Sequence, residues 1–127
     1  FKEAFKIATR HSVYTFSIFD EVYRIPYNDI YYIMKNSKGD SVTIYTKDDT
    51  YTHYVSVKSL EKTLSNDIRF FKSHRSCIVN LYNVTSYDRK DNIVIFKNGS
   101  KINLVAKNKK GEMAKRLKNF VNDSVKV

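Results

Sequence analysis

The sequence predicts a mainly β domain with a short connecting helix and a C-terminal helix. Ten Tyr and eight Phe stand among many Val and Ile, residue types that suit a pleated, half-buried surface. Three Gly and one Pro in 127 residues leave few breaks in extended runs. Helical spacing of apolar residues is confined to two stretches, 57–64 and 109–122.

Length favours one domain, because a second core would leave each half too little apolar surface to bury. Its expected bounds are 11–124, preceded by a linker remnant over 1–10 that reads as a frayed segment or short helix. Residues 12–25 (SVYTFSIFDEVYRI) are β-branched and aromatic with a polar break at Asp20-Glu21, which predicts a hairpin. Pro26 ends that run, and Asp29 to Ile33 begins a third, mostly buried strand. Residues 35–41 (KNSKGDS) are loop. Val42, Ile44 and Thr46 alternate with Thr43, Tyr45 and Lys47, and after Lys47 to Thr50 a further strand covers Tyr51 to Val55.

Ser56 is placed to cap a helix whose Val57, Leu60 and Leu64 fall on one face, ended by Ser65-Asn66-Asp67. Residues 68–80 (IRFFKSHRSCIVN) have apolar ends around a polar centre, so Lys72 to Ser76 reads as an exposed loop between strands. After the hairpins over 12–25 and 42–55, Asn92 to Lys97 and Ser100 to Val105 form a third, with Asn98-Gly99 suited to a type I′ turn. Met113, Leu117, Phe120 and Val121 then line one stripe of a helix from about Lys109 to Asn122.

Several functions are excluded by what is missing. Gly39, Gly99 and Gly111 do not cluster into a phosphate cradle. His11, His53 and His74 have no metal-ligand spacing. Cys77 follows His74 by three residues, but its neighbours Ile78 and Val79 make a buried structural thiol the better reading than a reactive one. Asp48-Asp49 occupies a turn, where Asp is favoured for backbone reasons. No catalytic residue, metal or cofactor is therefore expected. One Cys allows no internal disulfide, which fits the cytoplasm, and no segment approaches the ~20 apolar residues of a membrane span.

Charge is the positive clue. The 23 Lys and Arg against 13 Asp and Glu give +10, and residues 97–127 carry nine basic groups against Glu112 and Asp123. Polyanions are the expected partners. A solvated basic face kept for solubility explains the charge equally well on composition alone.

Arg69-Phe70-Phe71-Lys72-Ser73-His74-Arg75-Ser76-Cys77-Ile78-Val79-Asn80 resembles the signature of the LytTR DNA-binding family, of the AgrA and VirR type of bacterial response regulator. Tyr27 to Ile33, Val57 to Leu64 and Phe96 to Gly99 resemble further landmarks of that family in the right order, so the likeness spans about residues 12–118. It implies an elongated set of small antiparallel sheets whose loops enter successive major grooves of double-stranded DNA. Lys35 to Ser41, Lys72 to Ser76 and Val105 to Lys110 correspond to the three contact segments.

Within that resemblance Arg75 is the expected base reader, because a guanidinium bonds guanine O6 and N7 in bidentate fashion. Lys107 stands where relatives often carry Arg, and lacks the planar fork. Lys38 faces bases or phosphate. Asp40 stands where relatives offer a basic or His side chain; it either accepts from cytosine N4 or only shapes the turn. Ser37, Lys72, Ser76, Lys101, Asn108 and Lys109 are expected to contact the backbone, although an exposed Lys beside a loop is as often merely solvated. His74 is expected to orient or pack.

The resemblance further implies two copies on a direct-repeat promoter site, bent DNA, an upstream receiver domain and a cognate histidine kinase. The rival reading is a basic RNA- or protein-binding module without enzymatic activity.

Overall fold

The computed structural model describes residues 13–126, with side chains to residue 120; the expected linker over 1–10 and the stripe position Val121 lie outside those limits. Among the described residues, ten strands form three antiparallel sheets. Strands β1 (Val13–Ile18) and β2 (Glu21–Pro26) make the first. The turn falls on Phe19-Asp20 rather than Asp20-Glu21, because Glu21 already pairs with Ile18. A 3₁₀ turn at Tyr27–Asp29 delays the third strand to Ile30.

The central sheet has the order β5-β4-β3-β7-β6, from β3 (Ile30–Lys35), β4 (Val42–Thr46), β5 (Thr50–His53), β6 (Phe70–His74) and β7 (Cys77–Asn80). Between β5 and β6 runs helix α1 (Val57–Leu64), whose N-cap Ser56 accepts from the Ser59 amide and whose Val57, Leu60 and Leu64 are buried, as their spacing predicts. The third sheet, β10-β9-β8, comprises β8 (Val84–Asp88), β9 (Ile93–Phe96) and β10 (Lys101–Ile102). Helix α2 (Lys110–Lys126) is the last described element.

Three further sequence readings need correction. Lys72 to Ser76 is not a loop: Lys72, Ser73 and His74 belong to β6, leaving Arg75-Ser76 as the turn. The Asn98-Gly99 turn is not type I′, since only Gly99 of the two has positive φ (+89°). Lys97, Asn98 and Gly99 make a three-residue connection in which Phe96 N–H donates to Ser100 O at 2.9 Å, a geometry that needs its left-handed residue at the third place. The strand expected over Ser100 to Val105 is only two residues long, and β9 pairs on its other side with β8, a strand the sequence reading did not assign.

Both faces of the central sheet are covered. On one side Ile33, Val42, Ile44, Phe70 and Ile78 pack with Tyr14, Phe16 and Ile25 of the first hairpin and with α1. On the other, Tyr31, Phe71, Cys77 and Val79 meet Val94, Phe96, Ile102 and Met113. A bulge between Ile30 and Tyr32 breaks strict alternation, so Ile30 and Ile33 share a face while Tyr31 takes the other. Fully burying an aliphatic side chain of this kind is worth ~1.5–3 kcal/mol, which fixes the register wherever both layers meet.

Two polar knots tie β7 to the start of β3. Asn80 Nδ2 donates to Tyr27 O and Ile30 O, both at 2.8 Å, and Asn83 Nδ2 donates to Asn28 O and Ile30 O at 2.9 and 2.7 Å. Arg69, buried, donates Nε to Asp67 at 2.9 Å and Nη1 to Asn28 at 2.6 Å. Burial raises the Asp67 pKa, but the hydrogen bonds and charge of Arg69 outweigh it and hold the carboxyl below its ordinary 3.8.

Candidate nucleic-acid interface

Because β3 pairs antiparallel with both β4 and β7, the β3–β4 loop and the β6–β7 turn emerge at the same end of the central sheet. The first spans residues 36–41. Asn36 closes it: its N–H donates to Ser41 O at 3.0 Å, its Nδ2 to Ser41 Oγ at 2.8 Å, and its Oδ1 accepts from Thr43 at 2.7 Å. Gly39 turns the chain at φ +70°, a conformation other residues rarely adopt. The result is a rigid rim on which Ser37, Lys38 and Asp40 are exposed.

Arg75, exposed, and Ser76, half-buried, form the second turn. Ser76 N–H donates to His74 Nδ1 at 3.1 Å, so His74 orients the turn, as expected of it. Lys35 N–H donates to Ser76 O at 2.8 Å, fastening this turn to the first loop. Arg75 and Lys72 share one surface depression with Lys35, Asp40 and Lys58. Asp40 is the acidic exception among the charged side chains that line it.

The third segment reaches the same end by docking on β6. Ser73 is fully buried; its Oγ donates to Leu104 O at 2.7 Å and its carbonyl accepts from Ala106 N–H at 2.7 Å. Beyond this anchor the chain turns through a 3₁₀ helix at Lys107–Lys109 rather than an open loop, with Lys107 and Asn108 exposed. Asn92, itself at φ +57°, steadies the approach by donating Nδ2 to Val105 O at 3.1 Å and accepting from Tyr87 OH at 2.8 Å.

Between the second and third segments lies a further depression, lined by Lys72, Lys109, Arg116, Glu61 and Glu112. Lys72 meets Glu61 at 3.2 Å, and Glu112 receives Lys109 at 3.8 Å and Arg116 at 3.0 Å. These side chains are 27–48% exposed, so each pair is worth ~0–1 kcal/mol. Arg116 also lies over the Phe71 ring at 5.2 Å.

Nine of the ten sequence-predicted residues, Ser37, Lys38, Asp40, Lys72, Arg75, Ser76, Lys107, Asn108 and Lys109, therefore sit on three segments joined by backbone hydrogen bonds at one end. Lys101 does not: it is exposed on β10, opposite Ile95 in the third sheet. Lys35, Lys58 and Arg116 join the face without having been singled out. Lys35 falls within the loop expected over 35–41 but is the last residue of β3, whereas Lys58 and Arg116 arrive through packing of helices distant in sequence. Cys77 is fully buried, and burial pushes its thiol up to about 12 against a smaller opposing contribution from Ser73; it is the inert structural thiol expected. Among the described residues, no three His, Cys, Asp or Glu side chains converge as a metal site, and no helix is long and apolar enough to cross a membrane.

A family model described as the LytTr DNA-binding domain matches residues 20–118. Accessory gene regulator protein A of Staphylococcus epidermidis is 32% identical over 75 residues, 59% of this chain and 30% of that protein. The protein of the same description from Staphylococcus aureus strain N315 is 32% identical over 74 residues, 58% of this chain and 30% of the relative. The chain thus spans less than a third of the curated relatives it matches. A solved LytTr DNA-binding domain of a methyl-accepting/DNA response regulator from Bacillus cereus superposes with a TM-score of 0.68 at 26% identity, over 84% of this chain and 96% of the other.

Proposed function

Because the chain belongs to the LytTr DNA-binding domain family, we propose that the face at the end of the central sheet reads a short double-stranded DNA sequence, and that residues 11–124 are the transcription-regulating output domain of a longer response regulator. The single observation that carries this reading is the convergence of three polar, basic turns, each fixed by backbone hydrogen bonds, on one end of a rigid sheet. A flexible basic tail would bind phosphates; a braced turn also sets the direction of a guanidinium, which base reading requires.

Arg75 is the principal base reader, Lys107 a second with looser discrimination, and Lys38 meets base or phosphate beside Asp40. Ser37, Lys72, Ser76, Asn108 and Lys109 hold the backbone, with Lys101 at most a peripheral phosphate contact. Loops that follow successive grooves favour bent DNA and two copies on a direct repeat. An upstream receiver phosphorylated by a histidine kinase would promote that pairing, in the cytoplasm.

The test begins with a site selected from random duplexes. At fixed salt, Arg75→Ala should lose about 1–3 kcal/mol on that site and little on random duplex; equal losses on both overturn base reading. Lys109→Ala should weaken both alike and reduce the salt slope by about 1. Preference for single strands or RNA over duplex in competition would overturn the duplex reading and favour an RNA-binding module.

A further inference from the structure

The molecule carries an exposed apolar knob and an exposed apolar groove at opposite edges of the central sheet. The knob is the tip of the first hairpin, which docks on edge strand β5 through Phe16 and Tyr23 against Tyr51, with ring centroids 6.0 and 5.3 Å apart. At the tip Phe19 is 97% exposed and Val22 65% exposed, beside the exposed carboxylates of Asp20 and Glu21. Phe19 also holds φ +56°, a left-handed conformation that is strained for a bulky residue. Among the described residues little compensates for that strain, since the ring is left almost wholly exposed.

The groove lies beyond the other edge strand, β6. Ile68, 66% exposed, borders it with Leu81, Asn119 and Phe120, and Arg116 stands at its rim. Tyr82 meets Phe120 edge-on at 6.2 Å and carries the Lys97 ammonium 3.9 Å from its ring centre. The knob is apolar with an acidic collar, and the groove is apolar with a basic rim.

We propose that the Phe19 tip of one copy seats in the Ile68–Phe120 groove of a second copy on the neighbouring DNA repeat, with Asp20 and Glu21 facing Lys97. The inference rests on the direct-repeat reading above. Copies on a direct repeat are related head to tail, so their contact must join two different patches, and a knob and a groove on opposite edges meet that requirement. One aromatic finger buries far less than the ~1,200 Å² of a stable interface. The copies stay separate in solution and meet only when DNA raises their effective concentration to roughly the millimolar range.

The test compares duplexes carrying one selected site with duplexes carrying two, in direct or inverted orientation, at stepped spacings. The second copy of wild type should bind a direct repeat about tenfold more tightly than the first and show no such gain on inverted sites. Phe19→Gly, which also removes the backbone strain, should keep single-site affinity and abolish the gain, as should Ile68→Asp. Glu21→Lys and Lys97→Glu should each reduce the gain, and the double variant should restore it. Retention of the gain in both Phe19→Gly and Ile68→Asp, or its absence in wild type at every spacing while single sites bind, overturns the contact and leaves the DNA reading intact. Failure to bind any single-site duplex overturns the DNA reading, and the contact with it.

Discussion

Replacing Ser73 by Ala probes the joint between fold and interface. Ser73 is fully buried in β6, and its hydroxyl is the hydrogen-bond donor that meets Leu104 O at 2.7 Å. Alanine removes one oxygen and leaves almost no cavity, so packing changes little. What is lost is one net hydrogen bond, ~0.5–1.5 kcal/mol, together with the desolvation of an orphaned carbonyl, ~1–3 kcal/mol. A destabilisation of about 2 kcal/mol follows, or about 8 °C in Tm at ~4 °C per kcal/mol for a domain of this size. The same change loosens the entry to Lys107–Lys109, leaving Ala106 N–H to Ser73 O and Asn92 Nδ2 to Val105 O to hold it. Affinity should therefore fall severalfold on both specific and random duplex, because a phosphate-contacting segment has lost its fixed position. Calorimetry and gel shift read the two effects, with exposed Ser86→Ala on β8 as control. A Tm within 1 °C of wild type would refute the reasoning that this hydroxyl fastens the third segment.

Two further predictions concern stability. Phe19→Gly should stabilise the domain by ~1 kcal/mol in urea unfolding, since a positive φ suits glycine and the 97% exposed ring leaves no packing to lose; a destabilised variant would contradict the strain at Phe19. Burial holds the His53 pKa below its ordinary 6.5 in the folded state, where Nδ1 lies 2.8 Å from Tyr14 OH. On acidification the unfolded chain takes up this proton first, so the contribution of neutral His53 is complete above pH 6.5 and shrinks as pH falls below it. Tm should drop between pH 7 and pH 5.5, and drop less in His53→Gln; equal drops would remove His53 as the cause.

Local chemistry was legible wherever a segment's own neighbours decide its shape. The α1 cap at Ser56 and the loop at Gly39 follow from residue type and spacing. Strand β8 escaped because only Val84 of its five residues is buried, so its alternation barely shows. Lys72 to Ser76 looked like a loop because Lys, Ser, His and Arg are polar, whereas the third segment supplies partners that let Ser73 be buried. The Asn98-Gly99 pair suits two turn types, and strand register, not the dipeptide, chose between them.

The candidate side chains were legible as residue types, but their convergence was not. It depends on β3 pairing with β7 across more than forty residues and on the docking of Ala106 against Ser73, contacts that no local pattern encodes. Arg69 and Asn80, which bracket the family-like motif, turn out to hold the fold together and do not belong to the exposed face.

The most direct test of the shared face is an amide chemical-shift titration of the domain with its selected duplex. Shifts should concentrate in residues 35–41, 74–77 and 106–110 and appear together at one stoichiometry. Shifts centred instead on the third sheet, or confined to one of the three segments, would contradict the account.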